Sequence, residues 1–118
     1  MNSKSKKIVL IVDDEPDICE ILEFFIHRMG YQVEVAYTGD EALSKSNLKS
    51  YDLVITDMVM PGMSGKKFIQ RLRETPDFKA KIVISSGQTD HFVEIDYDDI
   101  LAKPFTPEKI EELFKKVF

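Results

Sequence analysis

Two apolar runs that end on acids restrict the fold of this chain more than any other feature. Ile8-Val9-Leu10-Ile11-Val12 runs into Asp13-Asp14-Glu15-Pro16, and Leu53-Val54-Ile55 runs through Thr56 into Asp57 and the loop Met58-Val59-Met60-Pro61-Gly62. Neither run alternates polar with apolar residues. Such runs mark strands buried on both faces, which is the situation of a parallel sheet covered by helices. Pro61-Gly62 is a turn signal, so Asp57 is expected at the carboxyl end of a central strand, where open α/β sheets place their ligand crevices.

The rest of the chain supplies the alternating helices. Pro16 suits a first helical position, and Ile18, Ile21, Leu22, Phe25, Ile26 and Met29 recur at helical spacing before Gly30 ends the run. Gln32 to Tyr37 alternates and reads as a strand nearer an edge. Thr38-Gly39-Asp40-Glu41 has the form of a capping box opening a helix to about Leu48, and Tyr51 to Asp57 is the third strand. Ser64-Gly65 opens a helix with Phe68, Ile69 and Leu72 inward, ended by Thr75-Pro76. Lys81 to Ser85 is a fourth strand, Ile100-Leu101-Ala102 a fifth, and Thr106-Pro107 caps a last helix with the stripe Ile110, Leu113, Phe114, Val117. Right-handed crossovers between parallel strands then predict a flavodoxin-like five-stranded α/β sheet of order 2-1-3-4-5 with helices on both faces. Its switch point lies between strands one and three, which brings Asp13-Asp14 and Asp57 to one crevice.

At 118 residues, 43% hydrophobic and 31% charged, the chain is expected to be a single domain, 1–118. A net charge of −5, with basic residues clustered only at Lys4, Lys6 and Lys7, argues against sequence-independent nucleic-acid binding. No apolar segment is long enough for a signal core or a membrane span, so a cytoplasmic protein with no membrane partner is expected. Cys19, the single cysteine, reads as a small packing residue, His27 as solvent-facing, Met58, Met60 and Met63 as loop packing, and Asp96, Asp98 and Asp99 as a solvated acidic run.

Converging carboxylates repel one another by roughly 3 kcal/mol per pair at about 5 Å and an effective dielectric near 20, so a cation belongs among them. An oxygen-only donor set suits Mg²⁺, with Mn²⁺ as an alternative ion. Lys103, after the fifth strand, supplies a second positive charge, and Ser86, at the end of the fourth, supplies a hydroxyl.

Taken together, Asp13-Asp14, Asp57 with its Met58-Val59-Met60-Pro61-Gly62 loop, Ser86-Gly87 and Lys103-Pro104-Phe105 resemble, in order and spacing, the receiver domain of a two-component response regulator, of the single-domain chemotaxis-regulator kind. The resemblance implies that Asp57 is the phosphoacceptor, that Asp13, Asp14 and Asp57 bind Mg²⁺ with a backbone carbonyl of Met58 or Val59 (Val59 in the family pattern), that Ser86 is the switch hydroxyl, and that Lys103 contacts the phosphoryl group. It also implies a histidine kinase or histidine phosphotransfer protein as donor and a downstream effector protein as partner, with no enzymatic activity beyond the domain's own phosphorylation and dephosphorylation.

The chain departs from the family pattern in two places. Ile100 stands where an aromatic is common, and the fourth crossover is short, so the fourth helix is expected to be short or absent and switching to run through ordering of Gly87 to Asp98. Because the chain stops after the last helix, output is expected through a partner protein, unless the chain is a receiver excised from a larger regulator or hybrid kinase. A Mg²⁺-dependent phosphohydrolase with an aspartyl nucleophile is the competing class, disfavoured because its Asp-x-Asp element is replaced by adjacent acids. A flavin or nucleotide binder is disfavoured because no Gly- or Ser/Thr-rich phosphate loop follows strand one.

Overall fold

The computed structural model describes residues 7–87 and 95–118. In chain order its elements are β1 (Ile8–Val12), α1 (Pro16–Arg28), β2 (Gln32–Ala36), α2 (Gly39–Leu48), β3 (Leu53–Asp57), α3 (Gly65–Glu74), β4 (Lys81–Ser86), β5 (Asp99–Ala102) and α4 (Pro107–Val117). The five strands form one parallel sheet in the order β2-β1-β3-β4-β5, as the sequence predicts. Four helices are present among the described residues. The fourth crossover, expected to carry a short helix or none and to order on switching over Gly87 to Asp98, lies outside the described residues at 88–94.

Burial on both sheet faces explains the non-alternating strands. Val9, Ile11, Ile55, Val83 and Leu101 pack with Cys19, Leu22 and Ile26 of α1 and with Ile110, Leu113 and Phe114 of α4. Leu10, Val12, Val54, Ile82 and Ile84 pack on the opposite side with Ala42 of α2 and with Phe68, Ile69 and Leu72 of α3. β1, β3 and β4 thus send successive side chains into two separate cores, whereas edge strand β2 turns Gln32 and Glu34 away from the core that takes Val33 and Val35. Met60 is buried, and Met58 and Met63 pack against the second core, in keeping with their reading as loop packing.

Local signals place the helices with small displacements. Pro16 occupies the first turn of α1, and Gly30 (φ 99°) lies just past its end, a conformation that costs glycine nothing. Ile21, expected inward, is 44% exposed. At 100° per residue it lies well off the line of the buried positions Leu22 and Ile26, so helical spacing alone takes in one residue too many. The Thr38 hydroxyl accepts from Glu41 N–H as a capping box requires, but the Glu41 carboxylate reaches the N–H of Tyr37 rather than that of Thr38. Ser64 and Thr106 cap α3 and α4 in the same manner.

The acidic run is not simply solvated. Asp98 Oδ2 accepts from Ile82 N–H at 2.7 Å, and Asp98 N–H donates to Ile82 carbonyl at 2.8 Å. Arg73 of α3 donates through Nε and Nη2 to the Asp96 carbonyl and pairs with Asp98 at 3.2 Å, fastening the lead-in to β5 onto α3 and the start of β4. Asp99 Oδ1 accepts from Ile100 N–H.

Candidate functional site

The carboxyl ends of β1, β3, β4 and β5 reach one level of the sheet, because the registers pair Val12 with Thr56, Asp57 with Ser85, and Ser86 with Ala102. Asp13 immediately follows β1, and its N–H donates to the Ala36 carbonyl, so the ladder to β2 extends to the site itself. The residue is 1% exposed. Oδ1 accepts from Glu15 N–H at 2.9 Å, a local bond that turns the chain into α1. Oδ2 is buried and has no hydrogen-bond partner among the described residues. Cys19 Sγ contacts the Asp13 carbonyl at 3.4 Å, so the first turn of α1 braces the same residue.

Asp57 ends β3, half-buried, with Oδ1 fixed by the N–H of Met58 at 2.8 Å. One oxygen each of Asp13, Asp14 and Asp57 lie within 4.8 Å of one another, although Asp14 itself is exposed. Lys103 Nζ lies 3.6 Å from Asp13 Oδ2 and 4.0 Å from Asp57 Oδ1. Burial pushes the Asp13 carboxyl above the usual carboxylate range and the neighbouring Asp57 charge adds to this, while the Glu15 N–H and Lys103 work against it. A buried carboxylate oxygen without a hydrogen bond, facing two more carboxylates, fits a hard divalent cation, which would supply the missing positive charge and accept oxygen donors.

The expected residues are therefore gathered with unequal intimacy. Asp13, Asp14, Asp57 and Lys103 meet side chain to side chain. Ser86 stands at the same sheet edge, its carbonyl accepting from Lys103 N–H at 2.8 Å. Val59 projects its side chain into solvent, 81% exposed, and the Met58 carbonyl is engaged by Gly65 N–H at 3.0 Å. Gly65 is a site residue that sequence reasoning treats only as a helix start. A Cβ there would fall 2.6 Å from both the Asp57 carbonyl and the Met58 Cα, so only glycine lets α3 begin against the end of β3. The Ser64-Gly65 pair after a loop is too common a helix opening to single it out.

Comparison with known proteins decides the family. The family model described as "Response regulator receiver domain" matches residues 9–115. The chain belongs to this family. Receiver domains are phosphorylation-controlled signalling modules rather than conventional enzymes, and the phosphohydrolase alternative is not favoured. Among curated relatives, the transcriptional regulatory protein ResD of Bacillus subtilis is 31% identical over 93% of this chain and 47% of its own length. The response regulator GtcR of Aneurinibacillus migulanus is 36% identical over 86% and 43%. The chain thus spans about half the length of these relatives. Among solved structures, the chemotaxis response regulator CheY4 of Vibrio cholerae superposes with a TM-score of 0.89 at 30% identity, covering 95% of this chain and 98% of that one. TrrA of Thermotoga maritima, solved in complex with Mg²⁺-BeF, gives a TM-score of 0.85 at 34% identity, covering 95% and 99%. Among the described residues no helix of this receiver is long and apolar enough to cross a membrane.

Proposed function

We propose that the chain is one receiver unit in which Asp57 accepts a phosphoryl group from a histidine kinase or histidine phosphotransfer protein. The observation that carries this reading is the meeting of three carboxylates with a lysine ammonium at the strand ends, one carboxylate oxygen being buried and without a hydrogen bond among the described residues. Asp13, Asp14, Asp57 and the Val59 carbonyl would hold Mg²⁺, which when bound neutralises negative charge on the transferring group. Mn²⁺ would be held by the same oxygens.

The chain's own groups do the remainder. An Asp57 carboxylate oxygen attacks phosphorus, a P–O bond forms, the P–N bond of the donor phosphoimidazole breaks, and the ring nitrogen leaves with the bonding pair. Met58 N–H keeps the carboxylate oriented, and Lys103, 4.0 Å away, offsets charge on the phosphoryl oxygens. The acyl phosphate then carries about two negative charges, which draw Lys103 and the Ser86 hydroxyl toward it. The domain thereby promotes its own modification. With a net charge of −5, output is assigned to contact with an effector protein rather than to direct nucleic-acid binding.

Incubation with a small acyl-phosphate donor and Mg²⁺, read by intact mass, is expected to add one phosphoryl group. Asp57→Asn and excess chelator are each expected to abolish it. Equal labelling of the variant would remove Asp57 from this role.

A further inference from the structure

Ile21 and Phe24 are the two large apolar side chains that α1 leaves in solvent, at 44% and 55% exposure. They do not stand alone. Asp17, Ile21, Phe24 and Arg28 follow one another at spacings of four, three and four, which places all four within about 60° of arc on one outward stripe of the helix, apart from Leu22 and Ile26. The stripe reads acid, apolar, apolar, base. Reversed in direction, it complements itself: in two antiparallel copies related by a two-fold axis between positions 22 and 23, Asp17 meets Arg28 and Ile21 meets Phe24.

The flanks obey the same symmetry. In an antiparallel pair each flank of one helix faces the same flank of the other. On one side that sets Glu20, exposed, against the imidazole of His27, also exposed; on the other it sets half-buried Ile18 against half-buried Phe25. Glu20 and His27 are thus polar partners at the rim, and Ile18 and Phe25 extend the apolar centre toward the protein. A face made only to meet water has no reason to pair acid with base and apolar with apolar about one point.

Phe24 and Arg28 are already arranged for such a contact. The Arg28 guanidinium lies over the Phe24 ring at 5.4 Å, and the Phe24 ring meets Phe25 edge-on, also at 5.4 Å between centroids. Two long side chains held in place lose less freedom on association. Beyond Ile18 and Ile21 the apolar surface continues into a recess of about 400 Å³ shared with Lys103, Pro104 and Phe105.

We propose that this face of α1 is a self-association surface, occupied by α1 of a second copy of the chain in antiparallel two-fold packing. A 13-residue helix about 20 Å long and about 10 Å wide offers on the order of 200 Å² of contact, well under the roughly 800 Å² per partner of a stable complex, so the dimer forms in the upper micromolar range. The inference does not depend on phosphorylation.

Charge reversal tests the pairing. Sedimentation of the wild-type chain from roughly 10 µM to 1 mM is expected to show a reversible monomer–dimer equilibrium. Asp17→Arg sets base against base at both ends of the pair, and Arg28→Asp sets acid against acid at both ends, so each variant alone is expected to dimerise at least about tenfold more weakly. Mixed in equal amounts, the two variants meet with opposite charges at both ends, and association is expected to return to within about threefold of wild type. That recovery also establishes that neither variant has lost its fold. A wild type that stays monomeric across the range, single reversals that leave association unchanged, or a mixture that stays dissociated would each overturn the proposal. The first of these results would leave the face to a different protein.

Discussion

Removing the buried charge of Asp13 is expected to stabilise the metal-free protein. With oxygens of Asp13 and Asp57 within 4.8 Å and an effective dielectric near 20, Asp57 costs Asp13 at least about 3.5 kcal/mol, and Glu15 adds a smaller repulsion. Lys103, at 3.6 Å from Oδ2, returns about 4.6 kcal/mol on the same scale. These terms nearly cancel. The sign is therefore set by the burial of the carboxylate, which is also the leading cause of its raised pKa. Asp13→Asn keeps an acceptor for Glu15 N–H and removes the buried negative charge. A gain of about 1–2 kcal/mol follows, or roughly 4–8 °C in melting temperature for a chain of this size.

The assay is thermal and urea unfolding of both proteins at pH 7 in chelator, repeated at lower pH and with Mg²⁺. A carboxyl whose folded pKa lies above its unfolded one binds more protons in the native state between the two values, so wild-type stability falls as pH rises through that window. The advantage of the variant is therefore present at pH 7 and vanishes as pH drops below the ordinary Asp range, near about 4, where both states of the wild type are protonated. With Mg²⁺ near 100 times its dissociation constant the wild type gains about 2.7 kcal/mol, and the order reverses. A variant that melts below wild type in chelator at pH 7 would refute the reasoning.

Gly65→Ala is expected to cost at least about 2 kcal/mol and to slow phosphorylation at Asp57, since its Cβ meets backbone at 2.6 Å; urea unfolding with donor labelling checks both. Arg73→Gln is expected to cost about 1–2 kcal/mol and to speed amide exchange at Ile82 and Asp98, while exchange in β1 stays unchanged. Val59→Asn is expected to hasten loss of the phosphoryl group several-fold, because a polar side chain at this exposed position can orient the attacking water as valine cannot; phosphate release over time measures it, and a slower variant counts against the idea.

The strands were legible because burial on two sides leaves an unmistakable run of apolar residues, and the meeting of Asp13, Asp14, Asp57 and Lys103 was legible because the strand order brings those ends to one crevice, although each acid taken singly reads equally as a turn or cap residue. What was not legible depended on contacts between distant elements. Nothing near Asp98 in sequence announces that its carboxylate caps Ile82 N–H, sixteen residues earlier, or that Arg73 reaches across from α3. The tightness around Gly65 arises where α3 meets the end of β3, and no periodicity records it. Ile21 is hidden for a different reason: two apolar stripes on α1 overlap at helical spacing, and only burial separates the inner from the outer.

The common level at which the strands end bears on which changes in chain length this architecture can absorb. A residue lost within β3 would carry Asp57 back by about 3.3 Å and turn its side chain to the other face, away from Asp13 and Lys103. The same loss in β1 would do so for Asp13. Lengthening or shortening the segments on the far side of each helix leaves the strand ends where they are. A change of length within β1 or β3 thus separates these side chains, whereas the crossovers between strands can vary in length, as the short fourth one does.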